Sequence, residues 1–164
     1  MLKYVDAKIV FSEVPDEITL AISISGCPGT CEGCHSPQLR EDIGEELNPE
    51  SLYTLIRSNE GISCVCFMGG DASLGKLDFL AAQIHSLFPE LKVAWYSGLE
   101  EIPVKKIGLV NFDYIKIGPY KKAFGPLNSP STNQRFYKVI HTPVPSTVLV
   151  DETHRFWKKD SSER

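Results

Sequence analysis

The chain predicts an α/β protein, an open and incomplete β/α barrel with a mostly parallel sheet. Three observations point there. Segments with strand character alternate with segments of helical period, the pattern of a parallel sheet with crossover helices. The turns that carry chemically distinctive residues fall at the carboxyl ends of the strand segments, where parallel α/β architectures place their sites. The length, 164 residues, is about half to three-quarters of the ~250 that a closed eight-unit barrel needs.

Residues 19–25, Thr-Leu-Ala-Ile-Ser-Ile-Ser, alternate apolar and small polar side chains and are rich in β-branched types, so they predict a strand leading into a cysteine-bearing loop. Asn48-Pro49 opens a helix, with Asn as cap and Pro in the first turn. Leu52, Leu55 and Ile56 form its apolar stripe, and Gly61 stops it. Residues 62–68 predict a second strand, ending at Gly69-Gly70-Asp71. Ser73 can cap a second helix whose apolar stripe is Leu77, Leu80, Ala81, Ile84, Leu87 and Phe88, and Pro89 closes it. Residues 91–98 predict a third strand. Residues 112–117 predict a fourth, closed by Gly118-Pro119, and residues 135–140 a fifth. The expected organisation is a single domain over residues 1–164, its core spanning about 19–140, with a flexible tail at 158–164.

Composition narrows the function. Hydrophobic content of 42 % and charged content of 23 % are ordinary for a globular protein. A net charge of −4 gives no electrostatic case for nucleic acid. No apolar run reaches the length of a membrane span, and the N-terminus lacks the apolar stretch of a signal peptide, so a cytoplasmic protein with no membrane partner is expected. Five cysteines in a compartment that keeps thiols reduced point to metal or redox chemistry rather than disulfides.

Three of those cysteines, Cys27, Cys31 and Cys34, form a Cys-x3-Cys-x2-Cys run. Three thiolates on one short loop can hold three irons of a [4Fe-4S] cluster, leaving the fourth iron open, whereas most clusters that only carry electrons use four cysteines. Zinc is the competing ligand. It requires a fourth donor, no Cys-x2-Cys or His-x3-His pair follows, and His35 adjoins Cys34 awkwardly for the same ion. Reduced thiols with no metal are the third reading. Cys64 and Cys66 have same-face strand spacing and fit a buried core position.

The cysteine spacing resembles the signature of the radical S-adenosylmethionine (SAM) enzymes. The resemblance implies the open barrel of that type, with SAM bound at the open iron through its amino and carboxylate groups. It further implies that one electron enters the sulfonium, that a 5′-deoxyadenosyl radical forms, and that no catalytic residue is needed beyond the cluster and SAM site. Gly69-Gly70-Asp71 occupies the place of that family's Gly-Gly-Glu, which binds the methionyl ammonium. Two glycines allow close backbone approach and an acid accepts from an ammonium, although Asp is one methylene shorter than Glu. The alternative is a tight turn with Asp71 or Ser73 as helix cap. Tyr96-Ser97-Gly98 matches a Tyr-Thr-Gly or Tyr-Ser-Gly of similar activating enzymes, whose hydroxyl lies near SAM. The alternative for Ser97 is a cap on the next segment. Alternation puts Tyr114 and Lys116 on one face of the fourth strand and Asp113 on the other. Lys116 then meets the SAM carboxylate, while Asp113 serves equally as a structural acceptor. His35 is either a donor tuning the cluster or an exposed loop histidine.

Residues 131–135, Ser-Thr-Asn-Gln-Arg, after the Gly118-Pro119-Tyr120 turn, resemble the activating proteins of anaerobic (class III) ribonucleotide reductases. The likeness runs from Gly26 to about Lys138. It implies that Asn133 and Arg135 join Gly69, Gly70, Asp71, Ser97 and Lys116 around SAM. It also implies a glycyl-radical reductase large subunit as partner and an electron donor such as flavodoxin or ferredoxin. Arg135 alternatively belongs to a surface turn. The other functions open to the residues are activation of a different glycyl radical enzyme, action on a free metabolite, and a non-catalytic zinc or cluster module.

Overall fold

A computed structural model describes residues 1–28, 37–143 and 147–157, and within them eight strands form one mixed sheet. β1 (Lys3–Val10) runs antiparallel to β2 (Thr19–Ile24), and the two-residue β3 (Glu45–Glu46) pairs with the outer edge of β1. β2, β4 (Cys64–Met68), β5 (Lys92–Tyr96) and β6 (Tyr114–Ile117) lie side by side and parallel. β7 (Arg135–His141) returns antiparallel to β6, and β8 (Thr147–Asp151) antiparallel to β7. The order across the sheet is β3-β1-β2-β4-β5-β6-β7-β8.

Two α-helices are present among the described residues. α1 (Pro49–Arg57) starts at Asn48, whose side chain accepts from Ser51 N–H at 2.9 Å while Ser51 Oγ accepts from Asn48 N–H at 2.9 Å. This reciprocal cap satisfies two end N–H groups and is worth about 1 kcal/mol. α2 (Leu74–Leu87) has Ser73 at its N-cap position, but the Ser73 side chain makes no capping bond. No described helix is long and apolar enough to cross a membrane.

The expected open β/α barrel with its mostly parallel sheet is not what forms. Four of the seven strand pairings are antiparallel, and both margins of the sheet are antiparallel. The reason lies in the connections, since a parallel pair needs a crossover of about a dozen residues or more, usually a helix. α1 and α2 serve the crossovers into β4 and β5. Between β5 and β6 only a 3-10 turn at Leu109–Asn111 forms. Beyond β6, Gly118, Pro119, Gly125, Pro126 and Pro130 interrupt the chain, and residues 118–134 contain no helix. With two α-helices among the described residues there is no ring of helices to close a barrel, and after the helix-free path of residues 118–134 β7 pairs antiparallel to β6.

Alternation along the strands separates two faces. On one, Leu20, Ile22, Val65, Phe67, Val93, Trp95 and Ile115 pack against Leu52, Ile56, Leu77, Leu80 and Ile84 of the helices. On the other, Cys64, Cys66, Ala94, Tyr114 and Phe136 pack around Val14. The β1–β2 connection covers that second face. Tyr96 Oη donates to the Glu13 carbonyl, while Glu17 accepts from Ser63 Oγ and from Tyr114 Oη. Each such large side chain contributes about 1.5–3 kcal/mol by burial.

Candidate cofactor site at the strand ends

The carboxyl ends of β2, β4, β5 and β6 form one rim of the sheet, because these strands are parallel and adjacent. Cys27 stands three residues past β2. The backbone around it is fixed by the returning segment: Ser25 Oγ donates to the Ile43 carbonyl, Gly26 N–H to Glu41 at 3.0 Å and Cys27 N–H to Leu39 at 2.8 Å. Gly26 has φ +74°, the left-handed conformation glycine adopts without strain. Cys31, Cys34 and His35 lie outside the described residues.

Gly69 and Gly70 follow β4 with φ of +116° and +91°. A Cβ on Gly69 would stand 3.1 Å from the Ile24 carbonyl oxygen, so the turn lies tight against the end of β2. Trp95 Nε1 holds the Gly69 carbonyl at 2.8 Å, and Gly69 N–H donates to Tyr96 O at 3.0 Å. Between β2 and this turn lies a cleft of about 400 Å³ bordered by Leu2, Ile24, Ser25, Gly26, Gly70 and Ser73.

Asp71 does not cap α2. Its Oδ1 accepts from Ser97 Oγ at 2.8 Å and its Oδ2 from Gly98 N–H at 2.9 Å. Ser97 is almost wholly buried, and its hydroxyl also accepts from Leu99 N–H at 3.0 Å, the cap on the next segment. Lys116 Nζ donates to the carbonyls of Ser97 and Gly118, each at 3.2 Å. An acid, a hydroxyl and a cation thus succeed one another along the ends of β4, β5 and β6. Gln134 Nε2 joins them at the Gly118 carbonyl, 3.1 Å away.

Asn133 also reaches this rim. Its Nδ2 donates to the Pro119 carbonyl at 3.0 Å, while its Oδ1 is buried with no partner among the described residues. A buried orphan acceptor costs about 1–3 kcal/mol. Arg135 turns elsewhere: Nη1 lies 3.6 Å from Asp151 of β8, and Nη2 is 3.5 Å from the Thr132 carbonyl. The structure therefore draws Gly69, Gly70, Asp71, Ser97, Lys116 and Asn133 together beyond Cys27, and commits Arg135 to the β7–β8 pair.

The chain matches no protein-family model, no curated protein and no solved structure.

Cys64 and Cys66 are fully buried on the second face. Burial pushes both thiols up, helped by Glu17 at Cys64 and by Cys64 at Cys66, so neither offers a ready thiolate. Among the described residues no group of three His, Cys, Asp or Glu side chains could hold a metal ion. The thiol donors of residues 27–34 fit a soft iron–sulfur group. The tight glycine turn leaves backbone that a polar ligand could approach at the rim.

One cluster escaped sequence reasoning. Asp113 sits at the opposite, amino-terminal edge of β6. Its Oδ2 is 2.8 Å from His85 Nε2 and its Oδ1 3.1 Å from His141 Nε2, and Val93 N–H donates to Oδ2 at 2.8 Å. Burial opposes its ionisation, but the bonds from His85, Val93 and His141 outweigh that and hold the carboxyl below the usual range. Only the placement of Asp113 on the face away from Lys116 signalled this structural role.

Proposed function

We propose that the chain is a cytoplasmic activating enzyme that binds a [4Fe-4S] cluster and SAM and generates a glycyl radical on the large subunit of an anaerobic ribonucleotide reductase. The observation that supports this most is the convergence of Cys27, Gly69-Gly70-Asp71, Ser97 and Lys116 at the ends of four adjacent parallel strands. Cys27, Cys31 and Cys34 hold the cluster. Bound together, the cluster and SAM supply one-electron cleavage of a sulfonium and a carbon radical strong enough to take hydrogen from a glycine.

The chain's own residues bind and orient. Asp71, anchored by Ser97 and Gly98, presents a fixed carboxylate to the methionyl ammonium, and a fixed charge loses little on binding. Lys116, held by two carbonyls, offers its positive charge to the methionyl carboxylate. Gly69 and Gly70 carry no side chain at the turn, so a ligand can meet the backbone there directly. A glycine on a partner loop suits the open rim because its α-carbon carries no side chain and its radical delocalises over two flanking amides. The electron donor is a small redox protein such as flavodoxin or ferredoxin.

The protein purified without oxygen tests this reading. It should be brown, with broad sulfide-to-iron absorption near about 400 nm, and with a strong reductant it should convert SAM to methionine and 5′-deoxyadenosine. A colourless protein holding one zinc per chain contradicts the proposal.

A further inference from the structure

The two margins of the sheet are guarded unequally. β1, partly covered by β3, stands at one side and β8 at the other. A bare strand edge offers unpaired N–H and C=O groups to any further strand. On β1, β3 covers Lys3 and Tyr4, the register shifts between Tyr4 and Asp6, and Asp6 and Lys8 are exposed. Such features keep a foreign strand away. β8, Thr147-Val148-Leu149-Val150-Asp151, carries no lysine, proline or register shift. Val148, Leu149 and Val150 are 42 %, 36 % and 42 % exposed.

The pairing with β7 says which groups of β8 face out. Glu152 N–H donates to the Phe136 carbonyl at 2.8 Å. Backbone direction alternates along a strand, so Val150 and Val148 also turn their N–H and C=O groups toward β7. Thr147, Leu149 and Asp151 then turn theirs away from the sheet. These outward residues are symmetric about Leu149. A second copy of β8, antiparallel and related by a two-fold axis at Leu149, pairs Leu149 with Leu149 and Thr147 with Asp151. Each pair exchanges two N–H···O bonds. Val148 of one copy meets Val150 of the other, a close pair of β-branched side chains. No like charges face each other in this register. An axis at Asp151 would set two carboxylates together, and an axis at Thr147 would call on Pro145, which has no N–H.

We infer that the chain forms a two-fold dimer through β8, joining two eight-stranded sheets into one. Seating β8 on the β1 edge of the next copy would give an open fibre instead, and the charges and register shift of β1 oppose it. The inference is independent of the SAM reading. A single strand pair is a small interface, so association belongs to the micromolar range.

Sedimentation velocity tests it on the full chain, purified without oxygen and kept with a thiol reductant. The protein should run as one chain at about 1 μM and mostly as two at about 200 μM. Val148→Lys with Val150→Lys sets lysine against lysine at both close pairs and should weaken association by about tenfold or more. Val148→Lys with Val150→Glu sets lysine against glutamate in the same register and should restore it, with a dependence on salt. Should either double variant unfold by circular dichroism, Leu149→Pro removes an outward N–H, leaves the bonds to β7 in place and should abolish the dimer. A single chain across the whole range overturns the inference. So does growth past two chains, a dimer that these variants leave unchanged, or an equal loss in both folded double variants.

Discussion

Ser97 Oγ donates to Asp71 Oδ1 at 2.8 Å, tying the end of β5 to the turn after β4. Gly98 N–H takes the other carboxylate oxygen at 2.9 Å. The aspartate that stands where the resembled family has glutamate is therefore braced by the neighbouring strand. A longer side chain would have to fold back to make the same two bonds.

Asp71→Ala should consequently do two things. It removes two hydrogen bonds to a carboxylate and leaves the buried Ser97 hydroxyl with one partner fewer, so urea unfolding should report a loss of about 1–3 kcal/mol. SAM binding should weaken roughly ten- to a hundredfold, the scale of a charge-assisted hydrogen bond. An affinity within twofold of the unchanged protein would mean that Asp71 braces the rim and does not touch the ligand.

Lys116→Met keeps most of the side-chain volume and removes the charge. Binding of S-adenosylhomocysteine should fall about tenfold or more, with the absorption of the cluster unchanged. An equal loss of cluster absorption would make Lys116 a structural support of the Ser97 and Gly118 carbonyls alone.

The cysteines should divide cleanly. Replacing Cys27, Cys31 or Cys34 by Ala should abolish SAM cleavage. Cys64→Ala and Cys66→Ala should retain it and cost about 1 kcal/mol each, as for deletion of one buried methyl-sized group. Both of the latter thiols are fully buried and pushed up by burial, so a thiol reagent should reach them only after unfolding. A dispensable cysteine among the first three, or an essential one among the last two, overturns the ligand assignment.

Asp113 makes stability depend on acid. Its folded-state carboxyl lies below the ordinary value of about 4. It therefore stabilises the fold fully above that value, and the contribution is lost as pH falls through it toward the lowered one. Asp113→Ala leaves the Val93 N–H unpartnered and should cost about 1–3 kcal/mol at neutral pH. The gap between variant and unchanged protein in urea unfolding should narrow below about pH 4. A gap that stays constant down to pH 3 would mean that the network does not lower the carboxyl below its ordinary value.

How much of this was legible in the chain differs by element. The parallel strands and both helices announce themselves locally: Thr19 to Ile24 alternates, and Asn48-Pro49 starts α1 with the cap it encodes. The turn at Gly69-Gly70-Asp71 and the Ser97 and Lys116 strand ends were legible for the same reason, since a parallel sheet gathers consecutive strand ends on one rim. β1 was not, because Asp6 and Lys8 break the apolar run of a strand with one exposed margin. The direction of β7 depends on the Gly- and Pro-rich path of residues 118–134 and not on β7 itself, and this is where the barrel expectation failed. The contacts of Asp113 with His85 and His141 each span 28 residues and arise only when α2, β6 and β7 meet.

The most direct measurement of the central claim is electron paramagnetic resonance on a mixture of this chain, SAM, reductant and an anaerobic ribonucleotide reductase from the same source. An oxygen-sensitive glycyl radical doublet is expected, and it should disappear when the target glycine of the reductase is changed to alanine. SAM cleavage with no doublet on that reductase, or a doublet that survives the glycine change, would contradict it.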